Sequence, residues 1–306
     1  MRQRLLSFIA LSLLSLNGSA SAADKIKVVA TIPDLAEFAR RIGGDTIEVT
    51  SLATGVEDVH AVPMKPSFAV LLNRADMVVL MGLELEHAFL PALLEAARNP
   101  KIMRDADGYI DCSKYITVLE VPTHLDRALG DQHPMGNPHY NLDPVAMKEA
   151  ARAMAEGFAR NFPEDESLFK ANLAALLADL DTNIARWERE GAPLKGKKLV
   201  SYHPDMLYFA DRFGMDAVGT IEIRAGIDPT PGHIEELIDL MQRQKVDIVV
   251  RERHYPAGLA ETVAQRTGAK LVELPAMVGG VPEASTYVGL IDYNLHAMLK
   301  AVQGGV

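Results

Sequence analysis

An internal repeat constrains the fold of this chain more than any other feature of its sequence. The segment KVVATIPDLAEFARRIGGD (Lys27–Asp45) aligns with KLVSYHPDMLYFADRFGMD (Lys198–Asp216) at an offset of 171 positions, and nine of the nineteen positions are identical. At the same offset Asp76 stands opposite Asp247, and an apolar run follows each of them. Because self-similarity at a fixed spacing indicates a duplicated structural unit, we expect two similar lobes.

Each copy of the repeat is typical of alternating strands and helices. An apolar run, a Pro-Asp turn, an amphipathic segment and a second apolar run follow one another, which predicts parallel βα units. We therefore predict an α/β fold in which two βα lobes have parallel sheets and separate cores. The predicted strands are Ile26–Ala30, Ile47–Leu52, Met77–Leu80, Ile116–Leu119, Leu199–Ser201, Ala217–Ile221, Ile248–Arg251 and Lys270–Leu274.

A single long helix is predicted between the lobes. Apolar residues recur at steps of three and four between Pro163 and Gly191, which gives one apolar helix face. At about 1.5 Å per residue this helix would run the length of one lobe and form a rigid connection. The predicted layout is a signal peptide (1–22), a first lobe (23–163), the connecting helix (164–192) and a second lobe (193–306).

The N-terminal segment predicts export. Arg2 and Arg4 precede an apolar run from Leu5 to Leu16, and small residues follow at 20–22, which is the layout of a secretory signal peptide. Cys112 is the only cysteine, so neither an intramolecular disulfide nor a lipid-bearing cysteine after the signal is expected. We predict a freely diffusing, monomeric periplasmic protein. The net charge of -10 argues against nucleic acid as a partner.

Three histidines fall where a ligand site is expected. Open parallel sheets bind ligands beyond the carboxyl ends of their strands, and His60, His139 and His203 all lie in loops at such edges. His203 occupies the repeat position that Ile32 holds in the first lobe. A lone loop histidine is commonly only a solvated or hydrogen-bonded side chain, but three at equivalent edges favour a binding site between the lobes.

Several imidazoles favour a transition metal ion. Zn, Cu, Ni and Fe accept imidazole readily, whereas Ca and Mg prefer oxygen ligands. We therefore predict His60, His139 and His203 as ligands of zinc, with manganese less favoured. Metal-bound histidines commonly donate their second N–H to a carboxylate, for which Asp58, Asp143 and Asp205 are candidates; helix N-capping is the alternative role for the last two.

The fourth ligand remains open. Glu252, with Glu222 behind it, is the best protein candidate, and water is the alternative. Either glutamate could instead be the structural partner of a nearby arginine, namely Arg224, Arg251 or Arg253.

The other histidines have no partner at a metal-ligand spacing. His124 and His133, in the polar loop before His139, could capture metal weakly. His254, which follows a strand, is a minor alternative.

Four motifs link these residues to a known family. They are Asp58-Val59-His60 with Pro66-Ser67, the segment NPHYNLDP (Asn137–Pro144), His203, and Thr286-Tyr287 with Asn294. With them the chain resembles the metal-binding proteins of zinc and manganese ABC importers over essentially its whole mature length. The resemblance implies a rigid helix between two lobes, a metal ion carried as a transported ligand, an inner-membrane ABC permease as partner, and no enzymatic activity.

Two departures from the family pattern affect the site. Asn137 stands where the family usually has Asp, and the second-lobe carboxylate that many members supply is not apparent in Leu271–Gly280. A secreted metallohydrolase is the main rival, because three histidines and an open position can activate water. The chain lacks H-E-x-x-H and G-x-S-x-G motifs, which weakens that reading. An adhesin or metal chaperone on the same scaffold also stays open.

Overall fold

The computed structural model describes residues 24–122, 133–222 and 227–303. The predicted signal peptide and His124 therefore lie outside the described residues. No helix in the described ranges has the length and apolar character needed to cross a bilayer.

The first lobe contains a four-stranded parallel sheet in the order β2-β1-β3-β4. Strand β3 is buried at every position, as expected for a central parallel strand covered on both faces. The elements of this lobe are β1 (Ile26–Ala30), α1 (Pro33–Gly43), β2 (Ile47–Ser51), α2 (Pro66–Asn73), β3 (Met77–Leu80), α3 (Leu90–Ala97), β4 (Tyr109–Asp111) and α4 (Pro144–Asn161).

The connecting helix follows, as predicted from the periodicity. Helix α5 (Glu166–Glu190) has 25 residues and begins one 3-10 turn after Pro163. Its buried side chains share one face and recur at helical spacing: Phe169, Leu176, Leu180, Ile184 and Trp187.

The second lobe repeats the topology of the first. Its sheet has the order β6-β5-β7-β8, again entirely parallel, so each strand has the same neighbours as its counterpart in the first sheet. The elements are β5 (Lys198–Ser201), α6 (Leu207–Arg212), β6 (Asp216–Thr220), α7 (Pro231–Gln244), β7 (Ile248–Glu252), α8 (Ala257–Thr267), β8 (Lys270–Leu274) and α9 (Tyr287–Gln303).

One predicted strand is wrong. The fourth strand of the first sheet is Tyr109–Asp111, and Ile116–Leu119 is irregular. The side chain of Ile110 packs closely against Gly157 of α4, where a larger residue would collide with it. The backbone of Leu119 makes hydrogen bonds that do not belong to a sheet. Its N–H donates to Tyr208 Oη (3.1 Å), and its carbonyl accepts from the Asn137 N–H (2.8 Å).

The two lobes do not have separate cores, in contrast to the sequence prediction. One cluster of buried apolar side chains runs from the first sheet through α5 and α9 to one face of the second sheet, and a smaller cluster lies beneath α7 and α8. Polar contacts join α5 to α9, because Arg186 Nη2 (2.7 Å) and Trp187 Nε1 (2.5 Å) both donate to Asp292 Oδ1. Since native cores are close-packed, this continuity limits movement between the lobes.

Backbone segments of the two lobes also meet beside the cleft. Gly55, in the loop that leads to His60, has a φ of +101°, which favours glycine. A Cβ atom at this position would lie 2.1 Å from the carbonyl oxygen of Val278, in the loop after β8. The absence of a side chain therefore lets the loop carrying His60 contact the second lobe directly.

Candidate metal centre

Three loops bring the predicted histidines together at the junction of the lobes. His60 lies between β2 and α2, His139 precedes the 3-10 turn Tyr140–Leu142 that leads into α4, and His203 directly follows β5. Their side chains are buried, with 6%, 4% and 4% of each residue exposed. Burial of three imidazoles at one point is costly unless they have polar partners or a ligand.

The imidazole nitrogens form an equilateral triangle. The Nε2 atoms of His60, His139 and His203 are each 3.2 Å from the other two. Nitrogens about 2.0–2.1 Å from a zinc ion at tetrahedral corners are about 3.3–3.4 Å apart. The triangle therefore has the size of one face of a tetrahedral coordination shell, with the fourth corner unassigned.

Glu222 orients the imidazole of His203. Its Oε2 atom lies 3.0 Å from His203 Nδ1, and both side chains are buried. A proton on Nδ1 leaves the Nε2 lone pair available for a metal ion. Sequence reasoning considered Glu222 as a ligand or as the partner of an arginine. The signal was nonetheless present, because Ser201 pairs with Thr220 in the sheet, and His203 and Glu222 each lie two residues further on.

The three aspartates predicted to orient the imidazoles have other partners. Asp58 Oδ1 accepts the backbone N–H of His60 (2.8 Å). Asp143 caps α4 through the Val145 N–H (2.9 Å) and forms two hydrogen bonds with the Arg212 guanidinium, at 2.7 and 2.8 Å. The alternative of ordinary helix capping therefore holds for Asp143, which also ties the first lobe to the second.

Asp205 and Glu252 form a buried pair of carboxyl groups. Burial raises the pKa of Asp205, and burial together with Asp205 raises the pKa of Glu252 well above its usual value. Two such groups in contact are stable when one is protonated and donates to the other. Among the described residues, Arg251 and Arg253 both pair with Glu273 and not with Glu252. Arg224, the third candidate partner, lies outside the described residues.

The side-chain amide of Asn137 both donates and accepts a hydrogen bond, which explains why an amide suits this position. Its Oδ1 accepts the backbone N–H of His139 (3.0 Å), and its Nδ2 donates to the carbonyl of Pro204 (2.7 Å). Tyr208 Oη donates to its backbone carbonyl (2.9 Å). An ionised Asp has no N–H to donate to Pro204, so Asn137 adds a hydrogen bond between the lobes beside two candidate ligands.

A fourth histidine lies against the cluster, and sequence reasoning missed its proximity. Single ligand atoms of His60, His133 and His139 all lie within 4.8 Å of one another. The His133 ring stacks on that of His60, with centroids 5.1 Å apart and an interplanar angle of 24°. The interpretation that no further histidine has a partner at metal-ligand spacing is therefore wrong for His133, and its weak capture of metal stays a prediction. His254 packs on Tyr255, whose ring contacts that of His203.

Burial keeps two of the candidate ligands, His60 and His139, neutral. It lowers the pKa of His60 and His139 well below the usual value, and the neighbouring imidazoles lower it further. Because a metal ion binds the neutral imidazole, these two ligands need no deprotonation near pH 7.

The pH dependence of metal affinity follows from these shifts. Protons compete with the ion only below the pKa of the metal-free imidazoles, and that pKa lies below the usual 6.5 for His60 and His139. We expect zinc affinity to stay nearly constant from pH 8 to about 6.5 and to fall only at lower pH. Competition with a chromophoric chelator across this range measures the effect. A tenfold loss already complete at pH 6.5 would contradict it.

Curated relatives cover nearly the whole chain. Zinc-binding lipoprotein AdcA of Streptococcus pneumoniae R6 is 22% identical over 96% of this chain, which spans only 59% of the length of AdcA. Manganese-binding lipoprotein MntA of Bacillus subtilis is 24% identical over 99% of this chain and 100% of its own length. A crystal structure of ZnuA has a TM-score of 0.76 and 26% identity, covering 91% of this chain and 99% of that one.

The prediction of a freely diffusing protein without a lipid anchor is contradicted by these relatives. AdcA and MntA are both named lipoproteins. The prediction depended on the absence of a cysteine after the apolar segment. That absence alone does not determine whether a protein is held at the membrane.

A sequence family matches this chain over most of its length. The family is that of zinc-uptake complex component A, periplasmic, and its sequence pattern matches residues 28–301. Apart from the first two residues of β1, both sheets fall within that range, as do the connecting helix and all three buried histidines. The chain therefore belongs to this family of metal-binding proteins that serve ABC importers.

Proposed function

We propose that this protein captures a zinc ion between its lobes and delivers it to an ABC importer in the membrane. The ligands in this proposal are His60 and His139 from the first lobe and His203 from the second. The observation that carries it is the triangle of Nε2 atoms, 3.2 Å on each side and buried at the lobe junction. The protein acts as a monomer, and its membrane partner is a permease.

The ligand set supports zinc over manganese. The relatives do not decide the matter, because AdcA is named for zinc and MntA for manganese. Manganese favours oxygen ligands more than zinc does. The two acidic candidates have other roles here, since Glu222 orients His203 and Glu252 pairs with Asp205. The proposed shell is three imidazoles and a water molecule.

The same contacts favour transport over hydrolysis. A zinc hydrolase needs a general base within hydrogen-bond reach of the metal-bound water. Glu222 is committed to the imidazole of His203, and Glu252 is buried beside Asp205. Buried ligands from two lobes suit a cargo that is enclosed and later released when the lobes separate.

Isothermal titration of the mature protein with zinc and with manganese tests the proposal. We expect one zinc ion per chain and weaker binding of manganese. Tighter manganese binding would overturn the choice of metal, and a stoichiometry of zero for both ions would overturn the receptor function.

Replacement of Glu222 by glutamine tests the orientation of His203. Glutamine keeps the size of the side chain but removes the charge that accepts the Nδ1 proton. We expect Glu222→Gln to weaken zinc binding about tenfold, at the lower end of the usual effect of such partners. Glu261→Gln, an exposed change on α8, is the matched control and should leave affinity unchanged. Equal affinities of the two variants would contradict the orienting role.

A further inference from the structure

The segment that carries His139 is bonded to the second lobe on both sides of that histidine. Before it, Asn137 Nδ2 donates to the carbonyl of Pro204. After it, the Asp143 carboxylate accepts two hydrogen bonds from the guanidinium of Arg212. The position of His139 therefore depends on contact between the lobes, although the first lobe supplies the residue.

Asn141, two residues after His139, makes three hydrogen bonds at this junction. Its Nδ2 atom donates to the carbonyl of Ala276 (2.8 Å) and to Asp34 Oδ1 (3.3 Å). Its backbone carbonyl accepts from Tyr287 Oη (2.8 Å). Asn141 is only 5% exposed, and a buried amide without partners is costly. Because two of its three partners belong to the second lobe, separation of the lobes breaks those two hydrogen bonds.

Asp34 completes the junction from within the first lobe. Its side chain is fully buried, and its Oδ2 atom accepts the backbone N–H of Val278 (3.1 Å), in the second-lobe loop that contains Ala276. A buried carboxyl group is tolerated when it accepts hydrogen bonds, and here one donor comes from each lobe. Asp34 therefore holds the amide of Asn141 and the second-lobe loop at the same point.

We propose that Asn141 is a positioning residue that couples His139 to the second lobe, and that its hydrogen bonds slow the release of bound zinc. This inference rests on the proposed function, because zinc release is the step that it concerns. The hydrogen bonds to Ala276 and Tyr287 exist only while the lobes are in contact. They therefore oppose dissociation of the enclosed ion and have little influence on its association with the open site.

The zinc dissociation rate of Asn141→Ala tests this role. Zinc-loaded mature protein is mixed with an excess of a chromophoric chelator in a stopped-flow instrument. We expect Asn141→Ala to release zinc about tenfold faster than the wild type, while its association rate changes by less than about threefold. Tyr287→Phe keeps the ring that packs on Phe38 and removes only the hydroxyl, so it should release zinc about threefold faster.

Asn99→Ala is the matched control. Asn99 is another buried asparagine of the first lobe, and its Nδ2 atom donates to the carbonyls of Leu72 (2.8 Å) and Ala75 (2.7 Å), within the same lobe. Its replacement removes hydrogen bonds of the same kind. It should lower the free energy of unfolding of the metal-free protein but leave the zinc dissociation rate unchanged.

A double-mutant cycle with Asp34→Asn shows whether the two side chains act together. An amide at this position can still accept from the Val278 N–H, but it no longer offers Asn141 a carboxylate oxygen. We expect Asp34→Asn to speed zinc release in the wild-type background, and to add less than about twofold in the Asn141→Ala background.

The positioning role and the proposed function fail in different ways. Equal zinc dissociation rates of Asn141→Ala and Asn99→Ala would overturn the positioning role, as would additive effects of Asp34→Asn and Asn141→Ala. Absence of zinc binding by the wild type would instead overturn the proposed function. Thermal unfolding of the metal-free variants checks that each one folds. If Asn141→Ala does not fold, a wild-type dissociation rate in Tyr287→Phe would overturn the role.

Discussion

Alanine at His139 is expected to lower zinc affinity by two to three orders of magnitude. Zinc held by four protein ligands is bound by about 10–16 kcal/mol, or about 2.5–4 kcal/mol for each ligand. Each 1.4 kcal/mol corresponds to about tenfold in the dissociation constant. The Nε2 atom of His139 lies 3.2 Å from those of both other imidazoles, and its backbone N–H donates to Asn137 Oδ1. Competition with a chromophoric zinc chelator measures the change.

A remote histidine provides the control for this prediction. His233, whose Nε2 lies 2.9 Å from the carbonyl of Thr220, is outside the triangle. His233→Ala should keep wild-type zinc affinity. If His139→Ala lost less than about tenfold in affinity while its metal-free unfolding matched that of the wild type, His139 would not be a ligand.

Zinc is also expected to stabilise the folded protein by a large amount. An ion at a thousandfold excess over its dissociation constant adds about 4 kcal/mol to the free energy of unfolding. For a chain of this size each kcal/mol raises the melting temperature by roughly 2–4 °C. We expect a zinc-induced shift of about 8–16 °C, because the ion links His60 and His139 of one lobe to His203 of the other. Calorimetry with and without zinc measures it.

The second lobe's share of this stabilisation can be separated. If His203→Ala weakens zinc binding about a hundredfold, the same zinc concentration adds only about 1.4 kcal/mol, and most of the thermal shift disappears. Magnesium at equal concentration should produce no shift, since it prefers oxygen ligands. A His203→Ala protein with the full zinc-induced shift would show that the ion does not link the lobes.

The duplicated architecture was predictable because the repeat records it directly. Residues that match at one offset form strands with the same neighbours in both sheets, so the match of Lys27–Asp45 with Lys198–Asp216 was sufficient to predict two similar lobes. The short edge strand Tyr109–Asp111 was not predictable. A four-residue apolar run such as Ile116–Leu119 satisfies the same local pattern, and the choice between them depends on the contact of Ile110 with Gly157 of α4.

The candidate site was predictable only in part. His60, His139 and His203 stand in loops that the fold brings to one edge, so their positions in the sequence indicated that they would meet. Three other features depend on tertiary contacts: the Glu222–His203 pair just beyond two neighbouring strands, the burial of Glu252 beside Asp205, and the stacking of His133 on His60. The common core was missed because packing through α5 and α9 leaves no local signature.

X-ray absorption at the zinc K-edge of the zinc-loaded protein tests the central claim most directly, because it reports the ligands of the bound ion itself. We expect three imidazole nitrogens at about 2.0–2.1 Å and one further light-atom ligand, as for a tetrahedral three-histidine site. In His203→Ala the second-lobe imidazole should be lost from the shell. A wild-type spectrum with oxygen ligands only, or with fewer than two imidazoles, would contradict the three-histidine site between the lobes.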